Sequence, residues 1–197
     1  MSFEFKREVI HPDDGGILSK FDQMKDYYKV KHDICAEIKP KIIAEIGVRA
    51  GYSAWSFLQA APDAWYFGFD ANNGRHGGAG VKEHDWWGWA HKILDPYKPR
   101  LIELDTQGST GLGKYFGNVK VDLFHVDGDH TEKGVQHDLD LAWAMLSPTG
   151  TILVDDMTYI AGVARGVEQW FANNPDVAQG EYRKSLRGEI LITRRAQ

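Results

Sequence analysis

Apolar residues in this chain fall into short unbroken runs separated by longer stretches with helical spacing. The runs at 42–47 (IIAEIG), 65–70 (WYFGFD), 100–105 (RLIELD), 121–127 (VDLFHVD) and 151–155 (TILVD) have strand length and carry little internal polarity, the pattern of strands buried on both faces. Between them, helical spacing or composition predicts helices over 17–38, with Leu18, Phe21, Met24, Tyr28 and Ile34 on one stripe, and over 52–61, 85–97, a short stretch ending near 116, 131–146 and 162–171. Pro40 and Pro62 stand just past two of these helices, and Pro148 with Gly150 predicts a turn before the fifth run. Two further strands, 181–186 and 189–194, are separated only by Arg187-Gly188. That connection is too short for a crossover, so they pair antiparallel.

Five strand-then-helix units predict an α/β fold with a parallel sheet covered by helices on both faces. The 197 residues suffice for one domain, with residues 1–40 as an N-terminal helical extension. In such sheets ligands bind beyond the carboxyl ends of the strands. Those ends are acidic here: Glu45, Asp70, Asp105, Asp127 and the pair Asp155-Asp156. Mutually repelling carboxylates converging on one crevice imply something positive or hydrogen-donating among them.

The first strand-to-helix turn reads E-x-G-x-x-x-G, from Glu45 through Gly47 to Gly51. A dinucleotide turn would place a glycine where Arg49 stands, and Glu45 would repel a pyrophosphate. The turn therefore suits a ligand without phosphates. Asp70 can accept both hydroxyls of a ribose, and a purine edge can lie against Asp105-Thr106, so a phosphate-free nucleoside is the consistent ligand.

Together these positions resemble the class I S-adenosylmethionine (SAM)-dependent methyltransferases from about Ile42 onward. The resemblance implies a Rossmann-like, doubly wound, mostly parallel seven-stranded sheet with the last strand antiparallel. It assigns the methionine end of SAM to Glu45, Gly47 and Gly51, the ribose to Asp70, and the adenine to Asp105 with Thr106 beside it, and places Val48, Tyr52, Ser53 and Asp127 in the donor site as well. The sequence D-G-D-H at 127–130 followed by Asp155-Asp156 is similar to the metal-dependent macrocin O-methyltransferase group, which methylates sugar hydroxyls. That likeness implies Mg²⁺ or another divalent cation on Asp127, Asp155 and Asp156, as hard oxygen ligands allow. It also implies His130 as the general base.

Other residues are read structurally. Asp129 starts a helix, and His125 is a buried, hydrogen-bonded histidine. His76, His84 and His91 fit no metal motif and read as lid or surface residues. The Gly/His-rich segment 72–84 and Trp86, Trp87 and Trp89 could form a lid or acceptor pocket, with at least one tryptophan packed in the core. The basic residues of the last hairpin, Arg183, Lys184, Arg187, Arg194 and Arg195, read as a solvated face.

Composition narrows the partners. The net charge of −5 without long basic runs argues against a nucleic-acid partner. The single cysteine, Cys35, excludes an intramolecular disulfide and a Cys-rich zinc site. With no apolar signal core and no membrane-length run, a cytoplasmic enzyme acting on a small-molecule acceptor is expected, its oligomeric state open and a homo-oligomer allowed. The alternatives are a metal-independent N- or O-methyltransferase, a non-catalytic nucleoside-binding module of the same fold, and a nucleotide-dependent oxidoreductase.

Overall fold

The computed structural model of the chain describes residues 3–76, 84–175 and 178–195. A seven-stranded sheet has the order β3-β2-β1-β4-β5-β7-β6. Its strands are β1 (Ile42–Ile46), β2 (Trp65–Asp70), β3 (Arg100–Glu103), β4 (Val121–Val126), β5 (Leu146–Val154), β6 (Ala178–Arg183) and β7 (Glu189–Arg194). The first five pair in parallel, and β7 runs antiparallel to both β5 and β6. The reversed last strand is as expected, but it lies inside the sheet, with β6 at the edge.

Alternation along the strands divides the core into two layers. Ile43, Tyr66, Leu123, Leu153 and Leu191 face one side, where they meet α2 (Phe21–Ile38), α3 (Tyr52–Ala60) and α4 (Trp86–Leu94). Ala44, Phe67, Phe124, Ile152 and Ile192 face the other, against α5 (Gly113–Phe116), α6 (Glu132–Met145) and α7 (Ala161–Asn173). A period of two in strands with helices on both faces requires this division.

Several boundaries differ from expectation for local reasons. The first helical stretch starts earlier, where Asp14 accepts from Ile17 N, and is divided at Ser19-Lys20 into α1 (Gly15–Leu18) and α2. The stretch 85–97 is α4 followed by a 3₁₀ turn at Asp95–Tyr97 with Pro96 in it. Strand β5 begins at Leu146 and absorbs Pro148 and Gly150. They occupy a register shift in which Val121 pairs with Leu146 but Leu123 with Thr151, so an irregular stretch of strand replaces the expected turn. Strand β6 ends at Arg183, earlier than expected, leaving residues 184–188 as the hairpin connection.

Strands β1 and β4 are neighbours although β2 and β3 intervene in sequence. The crossovers leaving them go in opposite directions along the sheet, which opens a crevice at their carboxyl ends.

Candidate active site

A cavity of about 870 Å³ opens at that crevice. Its wall includes Gly47, Val48, Arg49, Tyr52, Ser53, Asp70, Thr106, Asp127, His130 and Asp156, together with Asp14, Tyr27, Trp86 and Arg187. Most of the residues expected from the sequence therefore meet. Glu45, Gly51, Asp105 and Asp155 do not reach the wall, each for an identifiable reason.

Glu45 is fully buried within β1. Parity places it on the α2/α3 face, opposite His125 of β4. There its carboxylate accepts from the Tyr66 hydroxyl and bonds His125 Nδ1 at 2.8 Å. It is a core ionisable group spanning three strands, which corrects the expectation that it meets the methionine part of a donor. His125 is thus the buried, hydrogen-bonded histidine expected.

Gly47 and Gly51 act differently from one another. Both have positive φ, +92° and +81°, which glycine adopts without a Cβ penalty. A Cβ on Gly47 would lie 1.9 Å from the Asp127 carbonyl oxygen, so only glycine lets the β1 turn lie against the end of β4. At Gly51 a Cβ would crowd Ala90 and Leu94 of α4, so this glycine serves helix packing and not the cavity wall.

Asp70 Oδ2 accepts from Arg49 N and Oδ1 from Asn72 N, both at 2.7 Å. Each carboxylate oxygen retains acceptor capacity toward the cavity. Asp105 caps the following turn by accepting from Gln107 N and bonds His76 Nε2 at 3.0 Å. That bond to His76 holds its carboxyl below the usual range. Thr106, one residue on, lines the cavity and donates to Asp138 Oδ1 at 2.8 Å. Asp138, buried on α6, also accepts from Gln107 Nε2 and Asp129 N. It ties the β3 and β4 ends together, and its burial pushes its carboxyl up to about 6.

The two adjacent acids after β5 have opposite surroundings. Asp155 points into the α2 layer, where Oδ2 accepts from the Tyr27 hydroxyl and from Lys31 Nζ at 2.8 Å, and Oδ1 accepts from Asp156 N. Lys31 is itself fully buried and also meets Glu189 Oε1 at 3.4 Å. Burial opposes charge on both residues. The charges of Lys31 and His125 nevertheless hold Asp155 below the ordinary carboxylate range, and Asp155 and Glu189 keep Lys31 raised. Asp156, held at a positive φ of 61°, turns instead to the cavity. Burial and the neighbouring charges of Asp127 and Asp155 raise its carboxyl to about 6.

Asp156 Oδ1 meets Arg187 Nη1 at 3.3 Å, while Oδ2 is buried without a hydrogen-bond partner among the described residues. His130 Nε2 lies 3.3 Å from Asp127 Oδ1 and 3.6 Å from Asp156 Oδ2. The bond to Asp127 raises this imidazole against the effect of burial. Asp127, His130 and Asp156 each offer an atom within 4.8 Å of the others. Two carboxylates, one of them with an orphaned buried oxygen, fit a divalent cation beside the imidazole. Asp155 fits less well, because Lys31 already supplies its counter-charge. The trio His125, Asp127 and Asp155 is equally compact, yet Lys31 and Glu45 already occupy two of its members.

Tyr27, Lys31 and Arg187 were not expected in the site. The first two lie on a helix read only for its apolar stripe. Arg187 was read as solvated, but the longer hairpin connection carries it to the carboxyl rim, where its guanidinium lies 5.3 Å from the Tyr27 ring centre and 5.1 Å from that of Tyr159. Of the three tryptophans only Trp86 lines the cavity. Trp89 donates to Val9 O, and Trp87 packs edge-on to His91. His76 and His84 line the cavity, each beside a carboxylate, while residues 77–83 of the expected lid lie outside the described residues.

A family model described as "Methyltransferase domain" matches residues 44–157, more than half the chain. The chain belongs to this methyltransferase-domain family. The matched span runs from β1 to just past the Asp155-Asp156 pair, so it contains both glycines of the turn and every acid at the rim.

Solved structures similar to this methyltransferase share its fold at low identity. The O-methyltransferase TomG from Streptomyces achromogenes, in complex with SAM, is 16% identical with a TM-score of 0.63, covering 98% of this chain and 92% of that one. The O-methyltransferase from Bacillus cereus, in complex with SAH, is 14% identical with a TM-score of 0.62, over 95% and 94%. A TDP-rhamnose 3′-O-methyltransferase of calicheamicin biosynthesis is 15% identical with a TM-score of 0.62, over 95% and 89%. No curated protein sequence matches the chain. Among the described residues, no helix of the methyltransferase is long and apolar enough to cross a membrane.

Proposed function

We propose that this methyltransferase moves the methyl group of SAM to a hydroxyl of a small molecule, a sugar or a phenol, with a divalent cation at Asp127 and Asp156. The observation that carries this reading is the Asp127–His130–Asp156 trio on the wall of the same cavity as the glycine turn and Asp70. Similar folds that bind SAM or SAH, and one that methylates a sugar nucleotide, support it.

On this reading Asp70 accepts the ribose hydroxyls. Thr106 and Leu104 border the base, and the close approach of Gly47 to the end of β4 leaves room for the thioether chain. The sulfonium already activates the methyl group, so the protein's task is alignment of donor and acceptor. Asp127 orients His130 through Nε2, and the other ring nitrogen, Nδ1, takes the hydroxyl proton. A dication, when bound, would supply positive charge that eases loss of the hydroxyl proton. Arg187 and Tyr27 border the acceptor side and restrict the entry of water.

Two measurements test the reading. Calorimetry with SAH should show binding at one site. Methyl transfer from labelled SAM to a panel of sugars and phenols should require a divalent cation and stop in excess chelator. Undiminished transfer in chelator would establish the metal-independent alternative, and SAH binding without transfer to any acceptor would establish the binding-module alternative.

A further inference from the structure

Burial of Glu45 leaves the amino-acid end of the donor without the carboxylate that the sequence pattern assigned to it. The cavity wall supplies a different set of groups at that place. Arg49 lies within the glycine turn at a positive φ of 46°. Its backbone N–H goes to Asp70, whereas its side chain runs away from the ribose acid, lies 4.3 Å from the Trp86 ring centre and meets Asp14 Oδ2 at 2.9 Å. Asp14 is nearly buried. Its Oδ1 caps α1, and its Oδ2 also accepts from the Tyr52 hydroxyl at 3.3 Å. All four side chains line the cavity.

A second observation points to a ligand at this spot. Trp86 is 3% exposed, and its Nε1–H is buried with no hydrogen-bond partner among the described residues. A buried indole N–H normally finds an acceptor, so one is missing from beside Arg49.

We propose that Arg49, Trp86 and Asp14 form the receptor for the amino-acid zwitterion of the donor. Arg49 and the Trp86 N–H take the α-carboxylate, and Asp14 takes the α-ammonium. The Arg49–Asp14 pair has the same charges as the zwitterion in opposite sense. Docking therefore exchanges one internal ion pair for two intermolecular ones, and the amino-acid part adds no net charge to the cavity. Stacking on Trp86 holds the guanidinium plane while its N–H groups change partner, a use for which arginine suits better than lysine. The segment bearing Asp14 precedes the family-matched span, so this receptor joins the N-terminal extension to the methyltransferase core.

This inference rests on the donor being SAM, and its test separates the two. SAH and methylthioadenosine, which lacks the amino-acid part, are titrated calorimetrically into wild type, Arg49→Gln, Arg49→Lys and Asp14→Asn. Asparagine retains the cap of α1, and lysine retains the charge without the planar fork. The expected result is a 10- to 100-fold loss of SAH affinity in Arg49→Gln and a smaller loss in Arg49→Lys and Asp14→Asn. Methylthioadenosine should bind all four proteins within about twofold. Unchanged SAH affinity in Arg49→Gln overturns the receptor, as does an equal loss for both ligands, which would mark Arg49 as a structural support of the turn. Wild type binding neither ligand overturns the donor assignment itself.

Discussion

Asp155 and Asp156 are consecutive residues of the same type and equally buried, yet one lies in a closed ion cluster and the other lines the cavity. Asp155 has a donor at each oxygen and a lysine beside it, all inaccessible to water. Asp156 has an arginine at one oxygen, nothing hydrogen-bonded at the other, and a second carboxylate and an imidazole across from it. Asp155 meets the condition for a buried charge, a counter-charge and a donor at each oxygen. Asp156 is left partly uncompensated, which makes it able to take a cation. A D-D pair thus divides into a part that holds the fold and a part that meets the ligand.

Replacing Lys31 should break this comparison with the largest effect. Lys31→Met leaves Asp155 and Glu189 buried with no counter-charge, and the expected loss of unfolding free energy in urea is about 3–5 kcal/mol. A loss under about 1 kcal/mol would mean that the closed cluster is not held together by its lysine. His130→Ala tests the open side. It should lower kcat by about 10²- to 10⁴-fold, the range of a positioned general base, while SAH affinity and unfolding stay near wild type. A rate within threefold of wild type would remove His130 from proton transfer.

Asn at the paired acids sharpens the division. Asp156→Asn should weaken Mn²⁺ binding, read by paramagnetic relaxation of water, by at least tenfold with little change in stability. Asp155→Asn should do the reverse. Equal loss of Mn²⁺ in both variants would show that Asp155 leaves Lys31 to reach the ion.

A pH-dependent effect concerns Asp138, beneath the rim. Its carboxyl is raised to about 6 by burial, so the folded protein keeps this proton where the unfolded chain has already released it. Its contribution is fully present below the ordinary carboxylate range and is lost as pH rises through about 6, a decline of roughly 2–3 kcal/mol at about 1.4 kcal/mol per unit. Comparing the pH dependence of unfolding in wild type and Asp138→Asn isolates it. Identical profiles would place the Asp138 proton elsewhere.

The sequence by itself determined the parallel strands, the reversed last strand, the glycine turn and the acids at the carboxyl rim. These follow from local periodicity and from the strand-end rule, which need no knowledge of neighbours. It could not determine which acids face the cavity. Glu45 and Asp127 both end or nearly end a strand, and only the pairing of β1 with β4 and the packing of α2 and α3 show that the first is enclosed and the second open. Lys31, Arg187 and Asp14 had no local signal either, and Trp86 stood out only as one of three tryptophans of a lid or acceptor pocket. Their partners lie tens of residues away in the chain, and a charge's role is set by what packs around it, which contacts distant in sequence decide.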